Sequence, residues 1–272
     1  LGAAMIEAHR GHGTVASSAA PGMGTGLGAL AAGLTVSYLP WPTHLIYVAL
    51  LGVFVIQAVG VVTMVPSNDT RPGLLASLRP TLSVPSAART TFLASAPALF
   101  AVWALAGLYG SLGPALVRQL SGSTSAVVGG LGLFILAAAG SATTVVRRDH
   151  DARAQLVGGI VALIAGVAVT LAGVTLASLW LFLLGTLIAG IGFGSGLQGA
   201  IRATVGLVDA PERPGLLSAV YLVSYAGMGG PAVVAGFVVS RGVDLTSVAV
   251  GYGVVLVVLG LLALAQLARV RR

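Results

Sequence analysis

The sequence has no cysteine and no lysine, and it has few charged residues of either sign. The absence of cysteine excludes disulfides, thiolate catalysis and cysteine-held metals within these 272 residues. The absence of lysine excludes Schiff-base chemistry and the phosphate-binding lysine of a Walker A loop, so we expect no ATP-driven engine in this chain. We predict no cofactor, no metal site and no enzymatic activity.

Apolar residues dominate what is present: 57% of the chain is hydrophobic and only 8% is charged, against about 25% charged residues in an ordinary soluble domain. The hydrophobic residues come in runs of about 20, the length that crosses a bilayer. These runs are too long and too continuous for barrel strands, and backbone groups cannot stay unpaired in hydrocarbon. The sequence therefore predicts an all-α, polytopic membrane protein.

Eight transmembrane helices are predicted from these runs. They cover residues 19–38, 44–64, 91–116, 125–146, 156–173, 178–201, 215–240 and 248–267.

The arginines indicate the orientation. Twelve of the fourteen fall on one side of the predicted helices, and only Arg118 and Arg241 lie in the alternate loops. Cytoplasmic loops carry the excess of positive residues, so we predict a cell inner (plasma) membrane protein with both ends of this chain cytoplasmic. The net charge of +7 does not indicate a nucleic-acid partner, because the arginines are scattered among loops rather than gathered on one surface.

The chain contains a weak internal repeat. At an offset of 203 residues, six of the fourteen positions in 24–37 are identical to their counterparts in 227–240. Many transporters consist of two related bundles. The repeat would pair the first two helices with the last two and predicts a twelve-helix protein from which four N-terminal helices are missing here. The alternative is chance similarity between glycine-rich segments, with Met5 as the start of a natural eight-helix protein.

Two loops carry a family resemblance. One lies before a glycine-rich helix that contains Gly230 and Pro231, and it reads Pro211, Glu212, Arg213, Pro214 and Gly215. The other follows Gly140 and contains Arg147, Arg148, Asp149, Asp151 and Arg153. Together with the two-bundle pattern, the first loop resembles the entrance to the eleventh helix of the major facilitator superfamily. The second is similar to a Gly, Asp, Arg, Gly, Arg motif of that family but lacks its second glycine.

The resemblance implies helices five to twelve of the family fold. Residues 1–65 would hold the last two helices of the N-terminal bundle, residues 66–90 the cytoplasmic inter-bundle loop, and residues 91–272 the complete C-terminal six-helix bundle.

Small residues at helical spacing predict close helix contacts, which in this family can also act as gating surfaces. The candidates are Gly24, Gly26, Gly192, Gly196, Gly227, Gly230 and Pro231. A cytoplasmic latch between helix ends is a second candidate feature, with a plain topology signal as its alternative. Its members are Arg202, Asp209, Glu212 and Arg213.

Polar and aromatic residues within the predicted helices are candidates for a solute cavity, because all seven acids fall in loops or at helix ends. The candidates are Trp103, Tyr109, Gln198, Ser224 and Tyr225. Trp103 and Tyr109 are six residues apart, so at most one of them faces the cavity. The alternatives for these residues are helix packing and, for Tyr225 with Tyr221, an interfacial aromatic belt.

The sequence and the resemblance together predict secondary active transport of small solutes by alternating access, in a chain that is truncated. The partners would be a small, neutral or amphipathic solute, the lipid bilayer and protons as coupling ion, with efflux as the favoured direction and a monomer at full length. The alternatives are a permease subunit served by a separate ATPase and a non-transporting membrane scaffold.

Overall fold

The computed structural model describes residues 12–64 and 82–269, and the regular structure in these two ranges is entirely helical. The helices are α1 (His12–Tyr38), α2 (Pro42–Met64), α3 (Ser86–Ser111), α4 (Gly113–Ser121), α5 (Ala126–Val146), α6 (Ala152–Thr175), α7 (Leu179–Val205), α8 (Arg213–Ser240) and α9 (Leu245–Arg269). Most of the predicted inter-bundle loop of residues 66–90, namely residues 66–81, lies outside the described residues, and its last five residues already belong to α3.

Seven of these helices are long and apolar enough to cross a membrane, namely α2, α3 and α5 to α9. The chain is thus a multi-pass membrane protein by the length and composition of its helices. The first predicted span is helical, as α1, but α1 is not among the seven because glycine, alanine, serine and threonine dominate its sequence. A count of eight spans therefore stays a prediction.

The third predicted span was wrong in its continuity. Residues 91–116 are divided at Leu112 between the long helix α3 and the short helix α4. Pro114, at the start of α4, has no N–H to continue the hydrogen-bond ladder of α3. The apolar run continues through this break, so hydrophobicity alone did not reveal it.

Helices α3 and α7 lie at the centre of a six-helix arrangement. They pack against each other; α3 also packs on α8 and α9, and α7 also packs on α5 and α6. Helices α6 and α9 complete the arrangement by packing on each other. In these contacts α3 corresponds to α7, α5 to α8, and α6 to α9: each contact in the set is matched by the contact between the corresponding helices. The six helices thus form two three-helix units, α3 with α5 and α6, and α7 with α8 and α9, that have matching packing.

The tightest contact in the fold is between α6 and α7, which run antiparallel and carry a glycine at every seventh position on their facing sides. On α6 these are Gly159, Gly166 and Gly173, and on α7 they are Gly185, Gly192 and Gly199. A Cβ added at any of the six would lie closer than 3.0 Å to the backbone of the partner helix. Backbone approach of this kind is how helices associate in lipid, where no hydrophobic force drives them together.

A three-residue turn joins α6 to α7. Ser178 N–H donates to the Gly173 carbonyl at 2.8 Å, and Ala177 N–H donates to the Val174 carbonyl at 3.4 Å, the pattern that ends a helix with a left-handed residue. That residue is Ala177, with φ 50°. The Ser178 hydroxyl then accepts from Leu181 N–H at the start of α7.

Replacing Ala177 by glycine is expected to raise the free energy of unfolding by about 1 kcal/mol, because only glycine adopts this conformation without a steric penalty. The thermal unfolding midpoint in detergent measures the effect. The matched control is Gly122→Ala, which places alanine at a φ of 65° at the end of α4 and is expected to lower the midpoint. An Ala177→Gly variant that is less stable than the parent would contradict the assignment of strain.

Helix α1 lies against α5, whereas α2 barely contacts the rest of the fold. A Cβ at Gly33 would lie 2.8 Å from the Cα of Val127, and one at Gly26 would lie 3.2 Å from the Cβ of Ala137. By contrast, the apolar window of α2 has no buried residue. The N-terminal pair is therefore attached to the six-helix arrangement through α1 alone.

Candidate functional site

Four aromatic side chains from three helices meet near the middle of the fold, and we call them the aromatic cluster: Trp103 of α3, Phe193 of α7, and Tyr221 and Tyr225 of α8. The Trp103 ring centroid lies 5.4 Å from that of Tyr225 and 6.2 Å from that of Phe193, both within the range of favourable ring contacts. Tyr221 stacks on Tyr225 at 6.3 Å. Trp103 is half-buried, whereas Tyr221 and Tyr225 are exposed at 45% and 56%, so one side of the cluster is packed and the other is open.

Glycine contacts on either side of Trp103 hold α3 against α8. A Cβ at Gly107 would collide with the Met228 carbonyl, and one at Gly227 would lie 3.0 Å from the Cα of Phe100. The two backbones therefore approach closely. This approach brings the Trp103 and Tyr225 rings into contact.

The indole N–H of Trp103 is buried and has no hydrogen-bond partner among the described residues. A buried donor left unsatisfied costs roughly 1 to 3 kcal/mol, and such groups are rare in folded proteins. An acceptor on a bound molecule would remove this cost. The exposed rings of Tyr221 and Tyr225 form the side from which such a molecule would approach the cluster.

Gln198 and Ser224 were predicted to line the cavity together with the aromatics. The Gln198 amide donates to the Thr144 carbonyl of α5 at 3.2 Å, while its Oε1 is buried without a partner among the described residues. Ser224 is fully buried, and its hydroxyl donates to the Val220 carbonyl of its own helix. Gln198 thus retains an unused acceptor, whereas Ser224 does not face open space.

Tyr109 lies in a packed interior rather than on an open face, so the prediction that it lines a cavity is not supported by its position. It is 1% exposed, its hydroxyl lies 2.8 Å from that of Thr170 on α6, and the Thr186 hydroxyl on α7 donates to it at 3.0 Å. Its ring packs against Phe182. Tyr109 therefore joins α3 to the α6–α7 pair.

Tyr109→Phe is expected to lower the free energy of unfolding by about 1 kcal/mol, since two interhelical hydrogen bonds in a membrane protein contribute roughly 0.6 kcal/mol each. The denaturation midpoint in detergent checks this. The exposed Tyr47→Phe is the matched control and should leave the midpoint unchanged. If Tyr109→Phe left stability unchanged but altered solute binding, Tyr109 would line the cavity and the packing role would be contradicted.

The predicted packing glycines divide into two groups. Gly26, Gly192, Gly196 and Gly227 each face atoms of a neighbouring helix, at Ala137, Leu163, Val102 and Phe100 respectively. At Gly24 and Gly230 an added Cβ would meet no described atom within 4 Å, and Pro231 is a half-buried residue inside α8. A gating role for any of them stays a prediction.

The four latch residues do not pair with one another. Arg202 donates to the Arg148 and His150 carbonyls at 2.7 and 2.9 Å, and Arg213 donates to the Val208 carbonyl at 3.4 Å. Asp209 and Glu212 are exposed and make no ion pair within the described ranges. Arg202 does join the end of α7 to the turn between α5 and α6, but through backbone carbonyls rather than through a carboxylate.

Sequence reasoning missed Phe193 in the aromatic cluster and the Tyr109, Thr170 and Thr186 network. Nothing in the spacing of these residues indicates which helices meet. The glycine heptads of α6 and α7 were readable, since residues 159, 166, 173, 185, 192 and 199 are all glycine. In the described part of the chain, no group of three histidines, cysteines or acids could hold a metal ion.

No family model, curated protein or solved structure matches this chain. Its membrane character consequently rests on its helices, and its function is argued from the site.

Proposed function

We propose that this chain is part of a secondary transporter of the major facilitator type, which moves a small amphipathic solute past the aromatic cluster by alternating access. The observation that carries the proposal is the matched packing of the two three-helix units. Transporters are commonly built from such units, with the solute held where the units meet.

The direction of the two units supports this reading. If each long helix crosses the bilayer, α3, α5 and α6 run in alternating directions and α7 begins in the direction opposite to α3. The second unit is then an inverted copy of the first, related by an axis in the membrane plane. Inverted three-helix repeats within a six-helix half are a property of the proposed family.

Two open glycine faces are accounted for by a second bundle. The repeat pairs Gly24 with Gly227 and Gly33 with Gly236. Gly227 packs on α3 and Gly33 packs on α5, whereas Gly24 and Gly236 face no described atom. In a two-bundle transporter Gly24 would pack on the N-terminal counterpart of α3, as Gly227 packs on α3. Gly236 would likewise pack on the N-terminal counterpart of α5, as Gly33 packs on α5.

The aromatic cluster lies between the two units, since Trp103 belongs to the first and Phe193 and Tyr225 to the second. A solute held there would accept a hydrogen bond from the Trp103 indole and pack against aromatic faces. Relative motion of the two units would change these contacts. Binding and conformational change are thereby linked at one place.

Protons are proposed as the coupling ion, but none of the described acids lies inside the hydrophobic part of a long helix. Asp149, Asp151, Asp209 and Glu212 lie in loops, and Asp244 precedes α9. Hydrogen bonds from the Ser247 side chain and backbone lower the pKa of Asp244, which is exposed. The proton-carrying group would therefore lie outside the described helices.

The test is transport by the full-length protein in proteoliposomes without ATP, with ethidium as the amphipathic aromatic probe and glucose as the polar comparison. An imposed pH gradient is expected to drive ethidium flux above the level of protein-free vesicles, and its direction distinguishes efflux from import. Glucose flux should stay at the background. Equal ethidium movement with and without protein would overturn the proposal.

A further inference from the structure

Two apolar grooves flank the C-terminal half of α5 and meet along it. The first, of about 490 Å³, lies between α1 and α5 and is lined by Met23, Leu27, Phe134 and Ala138 among others. The second, of about 330 Å³, lies between α5 and α7 and is lined by Ala139, Thr143, Leu187 and Ile191 among others. Ala142 and Val146 border both grooves, so the two form one forked surface.

Arg147 stands at the point where the grooves meet the end of α5. It lines the second groove, and its guanidinium lies 3.4 Å from the buried Ser195 hydroxyl of α7 and beside Gly158 of α6. It makes no ion pair with any described acid; the nearby Asp149 pairs with Arg148 instead, at 3.2 Å. An arginine directed inward among three helices is thus left without a counter-charge.

This arrangement fits a molecule that carries one anionic group above two apolar chains. We propose that the forked groove binds an anionic phospholipid of the leaflet on the Arg147 side, with its phosphate on Arg147 and one acyl chain in each groove. The charge of Arg147 selects an anion, because charge-assisted hydrogen bonds to phosphate are roughly twice as strong as neutral ones. The forked shape of the groove selects a lipid with two acyl chains. This lipid site does not depend on the proposed transport function.

The arrangement also indicates what such a lipid would do. Its chains would contact α1, α5 and α7, and the packing of α1 on α5 joins the N-terminal pair to the six-helix arrangement. Basic sites between helices near the cytoplasmic surface are a known mode of lipid recognition in membrane proteins. A bound lipid would stabilise the α1–α5 contact.

The experiment is native mass spectrometry of the full-length protein titrated with phosphatidylglycerol, and with phosphatidylcholine of the same chains. The parent protein is expected to bind one phosphatidylglycerol with at least tenfold preference. Arg147→Gln should weaken that binding about tenfold, since one charge-assisted bond contributes about 1.5 to 3 kcal/mol and 1.4 kcal/mol is tenfold. Arg148→Gln removes the same charge from an arginine already paired and should change binding less than twofold.

Two further measurements distinguish a two-chain lipid from a single-chain lipid and from free phosphate. Ala142→Phe fills the exposed wall shared by the grooves; it should weaken phosphatidylglycerol binding but leave unchanged any binding of a single-chain lysolipid with the same headgroup. Inorganic phosphate in millimolar excess should not displace the lipid. Equal binding of the two headgroups, equal effects of Arg147→Gln and Arg148→Gln, or displacement by inorganic phosphate would each overturn the proposal.

Discussion

Replacing Gly166 by alanine is expected to lower the free energy of unfolding by about 3 kcal/mol, the upper part of the range for overpacking in a close-packed interior. A Cβ at this position would lie within 3.0 Å of the Ala189 backbone, which cannot move aside as a flexible side chain can. The two helices must therefore separate along a contact that five further glycines keep close. Thermal unfolding in detergent, followed by helix content, measures the loss.

The matched control lies on the same helix. Gly158 is adjacent to Gly159, one of the six glycines at the α6–α7 contact, but a Cβ added at Gly158 would lie 3.6 Å from the Arg147 guanidinium, an ordinary contact. Gly158→Ala is expected to leave stability unchanged or to raise it by up to about 1 kcal/mol, from the better helix propensity of alanine. Equal destabilisation by Gly158→Ala and Gly166→Ala would mean that the seven-residue spacing is incidental.

Replacing Trp103 by phenylalanine is expected to weaken solute binding about tenfold, because it removes the buried indole N–H while retaining an aromatic ring, and one hydrogen bond of about 1.4 kcal/mol is worth a factor of ten. The loss of stability should be limited to the ring contacts with Phe193 and Tyr225, since the indole N–H has no hydrogen-bond partner among the described residues. A loss of function larger than the loss of stability is the signature of a donor that serves a ligand. Flux in proteoliposomes and the unfolding midpoint are measured on the same preparations.

The other two tryptophans provide the control and the probe. Trp41 and Trp180 are both 81% exposed, so replacing them with phenylalanine should leave ethidium flux unchanged. The double variant then retains Trp103 as the single tryptophan of the chain, and bound ethidium should quench its fluorescence. Normal ethidium flux in Trp103→Phe, or absence of fluorescence quenching in the double variant, would show that Trp103 does not contact the solute.

The helices were predictable because the bilayer imposes a length on each apolar run, and the starts of α6, α7 and α9 follow local capping signals. Asp151 accepts from Ala154 N–H at 2.8 Å at the start of α6, and Ser178 has the same role in α7. The division at Leu112 was missed because apolar residues continue past it. There, a single proline outweighs the hydrophobic pattern.

The site was only partly predictable, because spacing along one helix does not tell which other helix it meets. Tyr221 and Tyr225 share a face and do stack, as their four-residue separation allows. The contact of Trp103 with Tyr225 depends on how closely α3 approaches α8, which the glycines at positions 107 and 227 determine from opposite helices. Tyr109 shows the reverse case: an aromatic residue that resembles a cavity residue in sequence serves as a packed interhelical link.

The proposed alternating access at the aromatic cluster can be measured directly with introduced thiols, because these 272 residues contain no cysteine. Ala106→Cys places a thiol one turn from Trp103 on α3; Asp149→Cys and Leu176→Cys in exposed turns serve as one-sided controls. A membrane-impermeant thiol reagent is applied to either side of proteoliposomes with and without ethidium. Alternating access predicts that Ala106→Cys reacts from both sides and that ethidium shifts the ratio of the two rates, while each control reacts from one side only. Reaction of Ala106→Cys from a single side, at a rate that ethidium does not change, would contradict it.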